Sequence, residues 1–245
     1  MIDIICLLKT YFFVLLDIIY PAFCPRCKSK IKAGSELPIC QTCLGCVKID
    51  VSPRCRKCGN RLKDIKSDKD GCRFCRKKTY FFDRAFSVAR YTGATKLSLH
   101  LFKYKRKVQL AKPLGQIMLT FINGQIATDT LDLIIPVPLH RSKLVERGFN
   151  QAELLSKILA AGLNKEISCN NLYRVKKTSS QFKLKKTERF KNVEHGFACR
   201  YPDALYGKSI LLVDDIFTTG ATLNECAFSL KEAGAKTVTA LTMAR

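Results

Sequence analysis

Ser209-Ile210-Leu211-Leu212-Val213-Asp214-Asp215-Ile216-Phe217-Thr218-Thr219-Gly220-Ala221-Thr222-Leu223 opens with an unbroken apolar run, Ile210 to Val213, bounded on both sides by polar residues. So short a run, with no polar alternation, predicts a strand covered on both faces, as in a parallel sheet. Two carboxylates, Asp214 and Asp215, follow at its end. Then comes the hydroxyl- and glycine-rich turn Thr218-Thr219-Gly220-Ala221-Thr222, and a helix-compatible apolar segment from Leu223 to Leu230. Strand, small-residue turn and helix start together make an anion site, because the first N–H groups of a helix have no partners within it. In open α/β sheets ligands sit outside the carboxyl ends of the strands. The turn can hold a phosphate, and the carboxylates can hold sugar hydroxyls or a metal. The plainer alternative is a strand that ends in two acids and a Thr222 that merely caps a helix.

Leu211 to Thr222 resembles the phosphoribosyl-pyrophosphate (PRPP) motif of type I phosphoribosyltransferases: apolar residues, two acids, two variable positions, then Thr-Thr-Gly-Ala-Thr. The resemblance implies that Thr218, Thr219, Gly220, Ala221 and Thr222 hold the 5-phosphate. It gives Asp214 and Asp215 the ribose hydroxyls and the catalytic role, with Mg²⁺ bound alongside PRPP. The implied fold is α/β, a mostly parallel sheet of the type I phosphoribosyltransferase kind.

A second buried strand is expected at Leu131 to Ile135, followed by Pro136-Val137-Pro138-Leu139-His140-Arg141 and a helix from about Val145 to Ala161. In the resembled enzymes a loop after this strand binds pyrophosphate, which makes Arg141, Lys143 and Arg147 its candidates here. His140 has no partner pattern and reads as structural. Together with the cysteine pairs upstream, Pro136 to His140 and Glu146-Arg147-Gly148-Phe149-Asn150-Gln151-Ala152 resemble the ComF family of competence-associated phosphoribosyltransferase-like proteins. That likeness runs from about Phe23 to Arg245. It implies a cytoplasmic role in natural transformation and DNA uptake. Its implied partners are PRPP or a nucleotide, single-stranded DNA, and a competence helicase or other uptake proteins.

Thirteen cysteines in 245 residues would suggest disulfides in a secreted chain, but their spacing does not. Cys24-x-x-Cys27 and Cys40-x-x-Cys43 form one set, and Cys55-x-x-Cys58 and Cys72-x-x-Cys75 repeat it. Each pair makes a knuckle that offers two thiolates, and two knuckles complete the tetrahedron that zinc prefers. This resembles a double zinc ribbon with two structural zinc ions. Cys43-Leu44-Gly45-Cys46 is also a Cys-x-x-Cys; Cys43 is preferred as the ligand because it keeps the repeats in phase. Pairing between the repeats, and an iron–sulfur cluster, remain open alternatives at this level. Cys169, Cys199 and Cys226 are scattered and read as small buried residues.

The expected organisation is an amphipathic helix over 1–20, zinc ribbons over 21–78 and a phosphoribosyltransferase-like domain over 79–245. Asp3, Lys9 and Asp17 interrupt the first segment, which argues against a stable membrane span; a membrane-surface helix is the alternative. A net charge of +23 predicts attraction to polyanions. Lys103-Tyr104-Lys105-Arg106-Lys107, with Phe102 and Tyr104 interleaved, suits stacking on single strands as well as it suits a solvated helix end. Helices are expected at Ala94 to Lys103 and Leu110 to Ile122, and strands at Arg84 to Tyr91, Leu172 to Val175, Gly196 to Cys199 and Thr237 to Leu241. The basic segment Lys176 to His195 is long enough for a lid. Arg174, Thr178, Gln181, Arg189 and Asn192 hold positions like those the ComF family uses, Arg174 and Arg189 being the lid and pyrophosphate candidates. Gly207-Lys208-Ser209 mimics the tail of a P-loop but precedes its strand, so it reads as a turn.

Overall fold

The computed structural model describes residues 21–32, 34–55, 57–62, 72, 73, 75–77, 79–175 and 196–245. The expected helix over 1–20 and the expected lid over 176–195, with Thr178, Gln181, Arg189 and Asn192, lie outside the described residues.

The chain forms two compact units. The first combines the residues up to Lys48 with Thr92–Leu110. It holds the short helix α1 (Gln41–Leu44) and the helix α2 (Gly93–Tyr104). The second combines Ile49–Tyr91 with Ala111–Arg245 and carries the sheet. The two four-cysteine repeats therefore fall in different units, although the sequence placed both in one segment ending at residue 78.

The second unit is built on five parallel strands in the order β1-β7-β6-β2-β3. These are β1 (Arg84–Ala89), β2 (Leu133–Pro136), β3 (Glu166–Ile167), β6 (Ser209–Ile216) and β7 (Thr237–Ala244). The central β6 is buried from Ser209 to Val213, as its apolar run requires. It runs on to Ile216, paired with Ala244, so Asp214 and Asp215 lie within the strand rather than after it. The helices are α3 (Ala111–Gln125), α4 (Arg141–Arg147), α5 (Gln151–Leu163) and α6 (Ala221–Glu232). The single helix expected over Val145 to Ala161 is two. Gly148 takes φ +82 at the end of α4, a left-handed turn that stops the helix cheaply only at glycine. Asn150 then caps α5, its Oδ1 accepting from the Ala152 N–H at 3.0 Å.

The short strand β3 had no signal in the sequence; it is two residues long and gains its order from pairing with β2. Strands β4 (Leu172–Arg174) and β5 (Phe197–Cys199) form a separate antiparallel pair on either side of the basic segment. This pair rests on α6 through Ser229, whose hydroxyl donates to the Phe197 carbonyl at 3.0 Å.

The topology fixes one crevice. The chain leaves β2 towards β3 on one side and leaves β6 towards β7 on the other, while β2 and β6 are neighbours. Between their carboxyl ends the connections diverge, and there a doubly wound sheet opens a binding cleft.

Candidate functional site

The Asp214–Thr222 segment forms one wall of that crevice. Successive strand residues face opposite sides of a sheet. Asp214 therefore lies on the side of Ile210 and Leu212, and Asp215 on the other. Asp214 Oδ1 accepts the Asp215 backbone N–H at 2.8 Å, which fixes the carboxylate at the strand end. Asp215 is only 4% exposed. Arg174, from β4, is close enough to Asp214 for their charges to interact: burial lowers the basicity of its guanidinium, and Cys226 and Asp214 oppose that shift. The Arg174 guanidinium also lies over the Phe197 ring, 5.3 Å from its centroid.

The turn itself is held open by glycine. Gly220 sits at φ +79 immediately before α6, with no side-chain cap on the helix. The positive end of the helix dipole therefore faces the turn without a protein carboxylate or hydroxyl of the cap residue in the way. Thr219 Oγ1 accepts from the Ala221 N–H at 3.4 Å. A methyl at Gly220 would stand 2.6 Å from the Phe217 ring, besides straining a left-handed residue. Gly220→Ala is therefore expected to destabilise the protein by about 1–3 kcal/mol. It should also weaken anion binding by at least about tenfold, because the turn must shift to relieve the clash. Urea titration and phosphate titration of the variant measure the two effects.

The opposite wall follows β2. The Val137 N–H donates to the Val213 carbonyl at 2.8 Å, so the two strand ends stay side by side past Pro136. Asn150 Nδ2 donates to the Val137 carbonyl at 3.0 Å, which ties the proline loop to the start of α5. His140 caps α4, its Nδ1 accepting from the Ser142 N–H at 3.2 Å, in keeping with the structural role read for it. The three cationic candidates of α4 are not equivalent. Lys143 pairs with Glu146 at 2.5 Å, and Arg147 donates to Gln151 Oε1 at 3.1 Å. Arg141 is exposed, and its guanidinium has no hydrogen-bond or ion-pair partner among the described residues.

Both four-cysteine groups assemble within their own repeats: Cys24, Cys27, Cys40 and Cys43 in one, Cys55, Cys58, Cys72 and Cys75 in the other. In each, all four sulfurs lie within 4.8 Å of one another. Zinc–sulfur bonds of about 2.3 Å imply tetrahedron edges of about 3.8 Å. The Sγ–Sγ distances are 3.5 Å for Cys27–Cys40, 3.7 Å for Cys55–Cys75, 3.5 Å for Cys58–Cys72 and 3.8 Å for Cys72–Cys75. Each group could hold one metal ion, and pairing between the repeats does not occur. Cys46 stays outside, its thiol turned to the Thr42 carbonyl at 3.4 Å, which agrees with the preference for Cys43. The second group is buried with the sheet's own core, beside Tyr80 and Phe82. Burial pushes the Cys58 thiol up to about 11; a bound cation would be what turns such a thiol into a thiolate. Within the first unit, Phe102 is fully buried, so it cannot stack on a base; Tyr104 is 52% exposed. That corrects half of the aromatic pair read from the basic run. No helix among the described residues is long and apolar enough to cross a membrane.

A parallel sheet with this turn at its switch point, preceded by two cysteine ribbons, is the architecture of type I phosphoribosyltransferases with an added ribbon segment. No family model matches the chain. Competence protein F of Haemophilus influenzae is 30% identical over 208 residues, covering 83% of this chain and 90% of that protein. DNA utilization protein YhgH of Escherichia coli O157:H7 is 30% identical, covering 89% and 94%. Competence protein ComFC of Bacillus subtilis is 30% identical, covering 91% and 83%. The chain belongs to the ComF family. Among solved structures, an allosteric regulatory enzyme of purine biosynthesis matches with TM-score 0.41 and 18% identity, over 59% of this chain and 30% of that one. A purine phosphoribosyltransferase from Pyrococcus horikoshii matches with TM-score 0.32 and 19% identity, over 53% and 71%.

Asn150, Phe217 and Arg245 contribute to the site or its support and were not singled out in the sequence. Asn150 could have been found from its place one residue after the Gly148 pair with Phe149, where a helix cap is expected. Phe217 and Arg245 carry no local signal; only the fold brings them together.

Proposed function

We propose that this is a PRPP-binding, phosphoribosyltransferase-like protein that acts in natural competence and DNA uptake. The observation that supports it most is the Gly220 turn at the start of α6, just beyond Asp214 at the carboxyl end of β6, with Arg141 opening α4 after the neighbouring strand β2. In this reading the 5-phosphate rests on the Thr218–Thr222 turn, and Asp214 and Asp215 take the ribose hydroxyls. Arg141, with Lys143, Arg147 and Arg174 as the wider basic set, takes the pyrophosphate, and Arg189, outside the described residues, is the further candidate that the family resemblance names. Mg²⁺ bound with PRPP supplies charge neutralisation at the pyrophosphate oxygens. The chain's own part is to hold the sugar, to favour positive charge at its anomeric carbon through the two carboxylates, and to favour negative charge on the departing pyrophosphate through Arg141 and Arg174. Zinc in the two Cys₄ groups would be structural, because four protein thiolates leave no open position. Isothermal titration with PRPP and Mg²⁺ tests the reading: saturable binding at one site per chain is expected, and no heat of binding up to millimolar PRPP would reject it.

A second reading, compatible with the first, is a nucleic-acid binding factor that uses the fold as a scaffold. The exposed Tyr104 within a run of four cationic residues favours it, as does the +23 charge. The relatives named for competence and DNA utilization lean the same way. Binding through about six phosphate contacts should weaken about a thousandfold between 50 and 200 mM salt. Fluorescence anisotropy with a labelled oligonucleotide reads this slope, and a flat salt response would count against a DNA surface.

A further inference from the structure

The second four-cysteine group and the phosphate turn share a set of contacts that the proposed chemistry does not use. Arg245 follows β7, and its backbone continues the sheet: its N–H donates to the Ala89 carbonyl at 3.1 Å and its carbonyl accepts from Tyr91 at 2.8 Å. Its side chain is thereby fixed between two features. Nη1 donates to the carbonyl of Cys58, inside the Cys55–Cys58 knuckle. The guanidinium carbon lies 4.1 Å from the centroid of the Phe217 ring. Phe217 is 2% exposed, and its ring is the surface against which Gly220 sits. The knuckle, Arg245, Phe217 and the turn are thus in serial contact. A second route ends on the same ring. Tyr80 and Phe82 stack at 4.7 Å, and Phe82 meets Phe217 edge-on at 6.2 Å.

We infer that the second four-cysteine group is a positioning element for the phosphate turn, and that Arg245 transmits its state to Phe217 and Gly220. A filled group holds the Cys58 carbonyl where Arg245 can donate to it. The guanidinium is then held flat on Phe217, and the ring holds the turn open at Gly220. If the knuckle opens, Arg245 loses its acceptor and the ring loses its cover. The first four-cysteine group lies in the other compact unit. The inference rests on the PRPP reading for its consequence but not for its mechanism.

The test uses the full chain, metal-loaded and labelled with ¹⁵N-glycine. Arg245→Gln keeps polarity but loses the charge and the planar fork. It is expected to retain two metal ions per chain, to move the Gly220 amide resonance, and to lower PRPP affinity about tenfold, the order of one desolvated cation–π contact. Arg90→Gln is the control: Arg90 contacts Asp50 and Ser52, not Phe217, and should leave the Gly220 resonance in place. An unmoved Gly220 amide in metal-loaded Arg245→Gln overturns the inference. If that variant does not fold, exchange of the bound metal for Cd²⁺ in the unaltered chain replaces it. Gly59, which closes the Cys55–Cys58 knuckle by donating its N–H to the Cys55 carbonyl, and Gly220 should then shift together, whereas a Gly59 shift without a Gly220 shift overturns the inference. Should the unaltered chain fail to bind PRPP, the functional reading falls, and the Gly220 resonance still decides the coupling.

Discussion

Asp214→Asn combined with Asp215→Asn lowers PRPP affinity in the presence of Mg²⁺ by more than about a hundredfold and leaves the fold in place. Hydrogen bonds from a charged carboxylate to a hydroxyl contribute about 1.5–3 kcal/mol each. Two of them lost together amount to about 3–6 kcal/mol, which is more than two decades in the dissociation constant. The fold should survive because the substitution keeps the shape and the acceptor oxygen. The Oδ1 of residue 214 can still receive the residue 215 N–H, now held at 2.8 Å. The two positions should not contribute equally. Asp214 shares its side of the sheet with Arg174, whereas Asp215 is nearly buried on the other. Titration of the double variant and of each single variant, with melting curves alongside, gives both numbers. Unchanged affinity in the double variant would mean that the ribose is not held here.

The other large effect is expected from the metal sites. Cys72→Ser should lower the melting temperature of the sheet unit by more than about 10 °C, and Cys27→Ser should shift it by only a few degrees. Structural zinc supplies about 10–16 kcal/mol of apparent binding energy to the small domains that depend on it. A domain of this size moves by about 2–4 °C per kcal/mol, so even partial loss is visible. The asymmetry comes from burial. Cys55, Cys58 and Cys72 belong to the same apolar cluster as Ile210, Leu212 and Val238 of the central strands. Cys27 is exposed, and its group lies in the other unit. Calorimetry with metal content measured on the same samples separates the two sites. Equal shifts for the two variants would contradict the assignment of the second group to the sheet core.

The parallel sheet was legible because its decisive segments are strong local signals. Ile210–Val213 and Leu133–Ile135 are uninterrupted apolar runs, and both proved to be inner strands. The Thr218–Thr222 turn between strand and helix and the Cys-x-x-Cys pairs were legible because each is continuous in sequence. The break at Gly148 was missed because apolar spacing persists on both sides of it, and only the left-handed backbone separates α4 from α5. β3 was missed because two residues carry no periodicity. The link from Cys58 through Arg245 to Phe217 spans 187 residues at its longer contact, and no local pattern reports a contact of that range. The division into units was also invisible, since Thr92–Leu110 joins the first ribbon only through the fold.

The most direct measurement is a crystal structure of the full chain with PRPP and Mg²⁺. The account predicts the 5-phosphate seated on the Thr218–Thr222 turn at the start of α6, with the ribose hydroxyls against Asp214 and Asp215 and the pyrophosphate towards Arg141. A phosphate bound elsewhere, with the turn bare in a saturated crystal, would contradict it.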